Sequence, residues 1–231
     1  ERTSSFSLAS IFALRMFGLF IILPVFAVYA RELPGGDSET LVGITLGIYG
    51  LTQGLLQIPF GVASDRLGRK PVIIFGLIIF ALGSFLAASG ANIWIVMLGR
   101  MLQGAGAISA AVTAFIADSV RVQVLTKAMA MVGASIGLTF ALSLLISPPL
   151  TKLWGVSGLF TLTGISALIA VLVVKFVVPP APQSAIDEKN EHRSWRKVVC
   201  DPQLVRLNIG IFVLHAVLTL SLIHISEPTR H

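Results

Sequence analysis

The sequence predicts an all-α membrane protein, a six-helix bundle of three-plus-three inverted repeats followed by a linker and the start of a seventh helix. Of 231 residues, 55% are hydrophobic and only 12% are charged, and the mean hydropathy is +0.89. Apolar runs of about 20 residues, the length that crosses ~30 Å of hydrocarbon as a helix, recur along the chain. Short connections between these runs make successive helices antiparallel neighbours.

Six apolar runs are long enough to cross a membrane, and a seventh follows a polar stretch. The first six predicted spans are Leu8–Ala30, Leu41–Ala63, Val72–Ser89, Ile93–Ala117, Ala128–Leu150 and Val156–Val178. The seventh runs from Leu204 to about Ile225. Residues 1–178 are therefore predicted to form one bundle.

A polar segment at residues 179–203 separates the sixth and seventh spans. It opens with PPAPQ, in which the prolines oppose helix formation, and continues with mixed charge. We interpret it as a cytoplasmic linker between two halves of a larger protein, so that residues 204–231 begin a C-terminal half. The letters SLIHISEPTRH at residues 221–231 resemble translated adapter sequence, which predicts that native sequence ends near Leu220.

The net charge of +6 predicts an orientation in the bilayer and no nucleic-acid partner. In so apolar a chain, Lys and Arg collect in cytoplasmic loops. With the N-terminus in the cytoplasm, the outer loops hold only Arg31 and Lys152. The cytoplasmic side then receives Arg66, Arg69, Lys70, Arg121, Lys127, Lys175, Lys189, Arg193, Arg196 and Lys197.

Two arginines lie within apolar spans, Arg15 in the first and Arg100 in the fourth. A charge in hydrocarbon is costly, so each is predicted to be functional, with snorkelling to a headgroup as the alternative. Both are followed by Met, and their spans enter the membrane from opposite faces, as an inverted repeat requires.

Polar and small residues also share helix faces. Tyr49, Gln53 and Gln57 recur every four residues in the second span, which favours either the lining of an aqueous cavity or interhelical hydrogen bonds. The glycines at positions 43, 47, 50 and 54, and Gly133 with Gly137 in the fifth span, predict close helix packing in preference to a substrate role.

The most specific signal is the loop GVASDRLGRKP at residues 61–71, where four charged side chains and two glycines occupy one short turn. A loop that merely obeyed the charge rule would explain the basic residues but neither the glycines nor the aspartate. The segment resembles the signature loop of the major facilitator superfamily, G-x-x-x-D-R-x-G-R-[KR]-x. The matching residues are Gly61, Asp65, Arg66, Gly68, Arg69 and Lys70.

Two further segments are similar to motifs of the same family. LGRMLQGAGAISA places Arg100 and Gln103 as in the arginine-containing fourth-helix motif. The fifth span carries Gly133 and Gly137 of the antiporter motif, with Ser147-Pro148 where the family usually has Gly-Pro. The resemblance implies half of a twelve-helix transporter, in which Asp65, Arg69 and Asp118 form a charge cluster that closes the cytoplasmic side.

Within the family the chain is most similar to the bacterial drug-efflux branch. The resemblance implies a multi-pass protein of the bacterial inner membrane that exports small hydrophobic compounds or drugs by alternating access, as an antiporter. The proton is the expected coupling ion, and no cofactor is expected. Because the first six spans hold no Asp or Glu, coupling is expected at Asp65, at Asp118 or in the missing C-terminal half. The expected partners are the lipid bilayer, that missing half and a small-molecule substrate, neutral or anionic because the lining is positive.

Two other functions are open to such a chain. Uptake of a metabolite by symport is compatible with the same loop motif. A membrane-embedded enzyme is disfavoured because the sequence has no H-E-x-x-H, no G-x-S-x-G and no clustered Asp within the spans. No metal site is expected either, since Cys200 is the only cysteine.

Overall fold

The computed structural model describes residues 2–178 and, beyond them, 202–203, 205–207, 209–210, 213 and 217, with side chains from residue 10 onward except that of residue 122. No strand occurs among these residues, which confirms the predicted all-α fold. Residues 2–178 form α1 (Arg2–Phe20), α2 (Leu23–Glu32), α3 (Glu39–Leu67), α4 (Arg69–Ala88), α5 (Ile93–Ala105), α6 (Ser109–Ser119) and α7 (Val122–Phe176).

Contacts divide the chain into two compact units, residues 1–182 and 183–231, and all seven helices belong to the first. The predicted linker lies outside the described residues except at 202–203, as does most of the predicted seventh span. Residues 221–231 also lie outside them. The predicted domain boundaries therefore stay predictions.

The helices of the first unit account for six membrane crossings. Five segments are long and apolar enough to span a bilayer: 10–32, 39–67, 69–88, 93–119 and 123–176. The last of them has 54 residues, which at 1.5 Å per residue is about 80 Å of helix, against about 30 Å of hydrocarbon. It therefore supplies the fifth and sixth predicted spans.

Gly155 divides α7 into two arms. Its φ of 67° and ψ of 176° are not helical, and a positive φ is a conformation that glycine adopts without a Cβ clash. Ala128 and Val132 of the first arm pack in one core cluster with Val174 of the second. The arms therefore lie antiparallel, as the short connection predicts.

Three core clusters lie at successive depths of the bundle, and the helices traverse them in alternating order. The first cluster includes Ile11, Ile73 and Phe115, and the third, between the other two, includes Phe80. The second cluster includes Ile22, Phe26, Ala87, Ile93 and Phe160. Successive helices thus run in opposite directions.

The basic residues separate along the same axis. Arg66, Arg121, Lys127 and Lys175 lie at helix ends next to the first cluster, together with the loop at 66–70, and we call this the basic end. Arg31 and Lys152 lie next to the second cluster, at the opposite end. Large apolar side chains such as Leu145 and Leu153 are exposed on the outside of the bundle, as a lipid-facing surface requires.

The fourth span is interrupted near its middle, between α5 and α6, where residues 106–108 are not helical. Glycine lets the neighbouring helix approach here, since a Cβ on Gly106 would lie 2.4 Å from the Gly76 carbonyl oxygen. The first span is interrupted at residues 21–22, just before Pro24, which has no N–H to continue the helix. The two interruptions occupy corresponding spans of the three-plus-three repeat.

Gly83 lies at a close approach of α4 and α5. A Cβ at this position would lie 2.5 Å from the Gln103 amide nitrogen and 2.7 Å from the Gly99 carbonyl oxygen. In contrast, Gly43, Gly47, Gly50, Gly54, Gly133 and Gly137 would each meet nothing within 4 Å. The packing partner predicted for these six glycines is therefore not among the described residues.

Gly83→Ala is expected to lower the free energy of unfolding of the 231-residue chain by about 1–3 kcal/mol, because backbone atoms have to move to admit the methyl group. Thermal or denaturant unfolding in detergent measures the effect. Gly47→Ala is the matched control and is expected to leave the unfolding midpoint unchanged or slightly raised, because a Cβ there meets nothing within 4 Å and alanine favours the helix. Equal midpoints for the two variants would contradict the close contact between α4 and α5.

Candidate functional site

The loop at the basic end reverses the chain between α3 and α4 through a single residue, Gly68. Its backbone angles, φ 94° and ψ 153°, lie in a region that residues other than glycine rarely adopt. This explains why the motif has glycine here. Earlier in the motif, a Cβ on Gly61 would be 3.8 Å from the Ala110 Cβ, so α3 passes near α6 here. Arg66 is exposed.

Arg69 joins the ends of three helices. From the first residue of α4, its Nε donates to Asp118 Oδ2 at 2.8 Å near the end of α6. Its Nη1 donates to Asp65 Oδ1 on the last turns of α3 and, at 2.8 Å, to Ser64 Oγ. The structure therefore brings together the three charged residues that the resemblance implied, and adds Ser64.

Lys70 connects the same loop to a further helix. Its Nζ donates to the carbonyl oxygen of Val178, just beyond the end of α7. A cation at the C-terminal end of a helix is favourable because unpaired carbonyl groups accumulate there. The basic end thus ties together α3, α4, α6 and α7.

Arg15 lies inside the bundle and not at its surface, with 1% of its area exposed. Nη1 donates to Ser109 Oγ at 2.7 Å, and Nη2 donates to Tyr49 Oη at 3.2 Å and to the Gly106 carbonyl at 3.3 Å. The guanidinium also lies over the Phe80 ring, 5.7 Å from its centroid. Snorkelling to a headgroup is therefore not the arrangement found.

Arg100 is equally buried, with 1% of its area exposed. Nη1 donates to Gln103 Oε1 at 3.1 Å, and Gln103 Nε2 donates in turn to Ser84 Oγ at 2.8 Å. The guanidinium carbon lies 4.8 Å from the centroid of the Tyr49 ring. Tyr49 thus contacts both arginines, one through its hydroxyl and one through its ring face.

Neither buried guanidinium pairs with a carboxylate among the side chains that the structure describes. The Nε atoms of both have no hydrogen-bond partner there. Among the described residues, the two buried positive charges are stabilised only by uncharged polar groups and aromatic faces. This is unusual, because a buried charge normally has a counter-charge.

The polar stripe of α3 joins this cluster at one position. Gln53 Nε2 donates to Ser109 Oγ at 3.4 Å, so this oxygen accepts from both Gln53 and Arg15. Gln57 is half-buried, and its Oε1 has no partner among the described residues. Interhelical bonding therefore accounts for Tyr49 and Gln53 but not for Gln57, and cavity lining stays a prediction.

The fifth-helix motif is divided between an exposed and a buried part. Gly133, Gly137 and Pro148 are exposed. Ser147 is fully buried, and its hydroxyl donates to the carbonyl of Ile21 at the interruption of the first span. The residue that replaces the usual glycine thus binds a carbonyl group released by the break before Pro24.

Sequence reasoning missed Ser64, Ser84 and Ser109. A single serine in an apolar helix has no periodicity and no spacing signal, and its importance arises only when another helix brings a donor to it. Ser109 alone had an indirect indication, since it lies two residues after the glycine-rich letters GAGA at 104–107, next to which the fourth span is interrupted.

Comparison with known proteins identifies the family. Residues 8–226 match the profile of the Major Facilitator Superfamily. The chain belongs to this superfamily. It is a family of transporters and not of enzymes, and membership confirms both the resemblance stated from the loop motif and the half-transporter fold.

Two relatives illustrate its neighbourhood in the Major Facilitator Superfamily. The chain is 45% identical over 220 residues to the inner membrane transport protein YajR of Escherichia coli K12, covering 94% of this chain and 48% of that protein. It is 27% identical over 208 residues to the quinolone resistance protein NorA of Staphylococcus aureus MRSA252, covering 89% and 51%. The chain thus spans about half the length of these relatives.

A solved transporter structure has the same fold. The POT family transporter PepTSo superimposes with a TM-score of 0.65 at 17% identity, over 94% of this chain and 48% of that one. Together with the five apolar segments and the similarity to an inner membrane protein, family membership makes the chain part of a multi-pass protein of the bacterial inner membrane.

Arg100→Met is expected to lower the free energy of unfolding by no more than about 2 kcal/mol. Methionine fills a similar volume, and removing a buried charge that lacks a carboxylate offsets the lost hydrogen bond to Gln103. Denaturant unfolding of the protein in detergent measures the change, with Met101→Leu on the exposed side of α5 as the control. A loss above about 4 kcal/mol would show that the guanidinium is required for packing.

Proposed function

We propose that the full-length protein is a secondary active transporter that works by alternating access and exports small hydrophobic compounds, drugs among them, in exchange for protons. The observation that most supports this proposal is the Arg69 network, in which one guanidinium binds carboxylates from α3 and α6. These helix ends have to separate if the basic end opens, so the network is suited to hold that end closed. The basic end is the cytoplasmic end in this proposal.

Export is supported by similarity to a resistance protein. NorA, whose name states quinolone resistance, matches 89% of this chain. Proton coupling is assigned to Asp65, Asp118 or the missing C-terminal half, because the described membrane interior holds arginines without a carboxylate. The C-terminal half would also cover the open glycine faces of α3 and of the first arm of α7.

Transport in oriented vesicles tests the proposal. Everted inner-membrane vesicles that contain the full-length protein are energised to an acidic interior, and accumulation of a fluorescent hydrophobic dye is followed. Accumulation that stops when a protonophore collapses the gradient is expected, relative to vesicles without the protein. Metabolite accumulation in right-side-out vesicles without dye export would instead favour the symporter.

Asp65→Asn tests the closing role of the basic end. The amide keeps the shape but loses the charge that attracts Arg69, so the equilibrium shifts toward the state open at that end. The shift is expected to be at most about fivefold, since Asp65 is largely exposed and an exposed ion pair contributes about 1 kcal/mol or less. Transport is expected to fall.

The readout for this variant is the labelling rate of engineered cysteines at the basic end, measured together with transport. Asp37→Asn, in the exposed loop at the opposite end, is the matched control and is expected to behave as the unmodified protein. Unchanged labelling and unchanged transport for Asp65→Asn would refute the closing role.

A further inference from the structure

We propose that the start of α6 is a carboxylate-binding site for the transported compound. We call Arg15, Tyr49, Gln53, Ser109 and the first amides of α6 the carboxylate site. The proposal rests on the transport function above and deepens it by naming a substrate class, amphipathic organic acids. Ser109 and Gln53 contact the ligand, and Arg15 is a positioning residue behind them.

The hydrogen-bond polarity of the cluster is the first observation. Ser109 Oγ accepts from Arg15 Nη1 at 2.7 Å and from Gln53 Nε2 at 3.4 Å, so both of its lone pairs are engaged. Its own hydrogen is left to donate, and no hydrogen bond from it is found among the described residues. Tyr49 Oη likewise accepts from Arg15. A group that only accepts hydrogen bonds completes such a set, and a carboxylate is that group.

Charge is the second observation. The Arg15 guanidinium is 1% exposed, its Nε has no partner, and no carboxylate among the described side chains balances it. An anion that reaches Ser109 comes close to this unbalanced charge in a low-dielectric setting, where the attraction is strong.

The third observation is the interruption of the fourth span. Ser109 is the first residue of α6, and Ile108 at the N-cap provides no side-chain cap. The first amides of a helix have no intrahelical acceptor, and the helix dipole places partial positive charge there. Interrupted membrane helices direct such ends at anionic substrate groups near the bilayer midplane. This break lies near the middle of the span 93–119.

Exposure decides which residues touch the ligand. Ser109, Gln53 and Ala110 are half-buried, whereas Arg15 and Tyr49 are buried. A carboxylate is therefore expected to bind the Ser109 hydroxyl, the Gln53 amide and the α6 backbone, while Arg15 fixes the orientation of Ser109 and supplies charge. An uncharged carboxamide has no charge and replaces one acceptor oxygen with an N–H donor group, so it is expected to bind more weakly than the acid.

An isosteric pair of probes tests the site in the full-length protein reconstituted in lipid nanodiscs. Equilibrium binding of radiolabelled 2-naphthoate and 2-naphthamide is measured. The acid is expected to bind at least about tenfold more tightly than the amide, because charge-assisted hydrogen bonds are about twice as strong as neutral ones. Ser109→Ala is expected to weaken acid binding about tenfold and to leave amide binding unchanged.

Two further variants keep the result specific. Gln53→Ala is expected to reduce acid binding in the same direction, without altering amide binding. Thr113→Ala, one turn further along α6 and exposed, is the matched control and is expected to retain the full preference for the acid. A correct elution volume in size-exclusion chromatography is required of each variant.

The inference is overturned if the acid does not bind, if acid and amide bind equally, or if Ser109→Ala retains the preference. Equal binding is also the result if an acidic side chain of the C-terminal half already occupies the site. Acid binding without proton-driven export would refute the transport function but not the site. Proton-driven export of neutral dye without acid preference would refute the site alone.

Discussion

Two positive charges in an apolar interior are the constraint on which the rest of this bundle depends. Arg15 and Arg100 are each 1% exposed, and the described part of the chain supplies no carboxylate for either. Each therefore has to be surrounded by neutral acceptors and aromatic faces, and a helix carbonyl is most readily available where the helix's own hydrogen bonding is interrupted. The break at residues 106–108 meets this need, since the carbonyl of Gly106 accepts from Arg15.

The same device recurs in the corresponding span of the other repeat. The first span is interrupted before Pro24, and the carbonyl of Ile21 accepts from Ser147. Broken membrane helices persist only where neighbouring groups satisfy the backbone they release. At the break in the fourth span the guanidinium of Arg15 donates to a backbone carbonyl, and at the break in the first span the hydroxyl of Ser147 does. The two repeats thus share a geometry, and they differ in charge at the two breaks.

The sequence predicted the fold well because hydrocarbon imposes a length and composition on every span, and the charge rule orders the ends. The Arg69 cluster was implied only by the family resemblance that the local loop motif carries, because Asp118 lies 49 residues from Arg69 and outside that motif. The interruptions at residues 21–22 and 106–108 were not predicted, because an uninterrupted apolar run predicts a continuous helix. The partners of the buried arginines were missed for another reason: Ser84 and Ser109 become acceptors only through helix packing, which no spacing along one helix reports.

The helix α6 connects the interior cluster with the basic end. Ser109 is its first residue and Asp118 its last but one, a separation of about 14 Å at 1.5 Å per residue. A rigid displacement of so short a helix would alter both the contact of Ser109 with Arg15 and the contact of Asp118 with Arg69. Binding at one end can then bias the closed state at the other by as much as the ligand's affinities for the two states differ. This link fits the proposed transport function, in which a gate at the basic end has to respond to an occupied site.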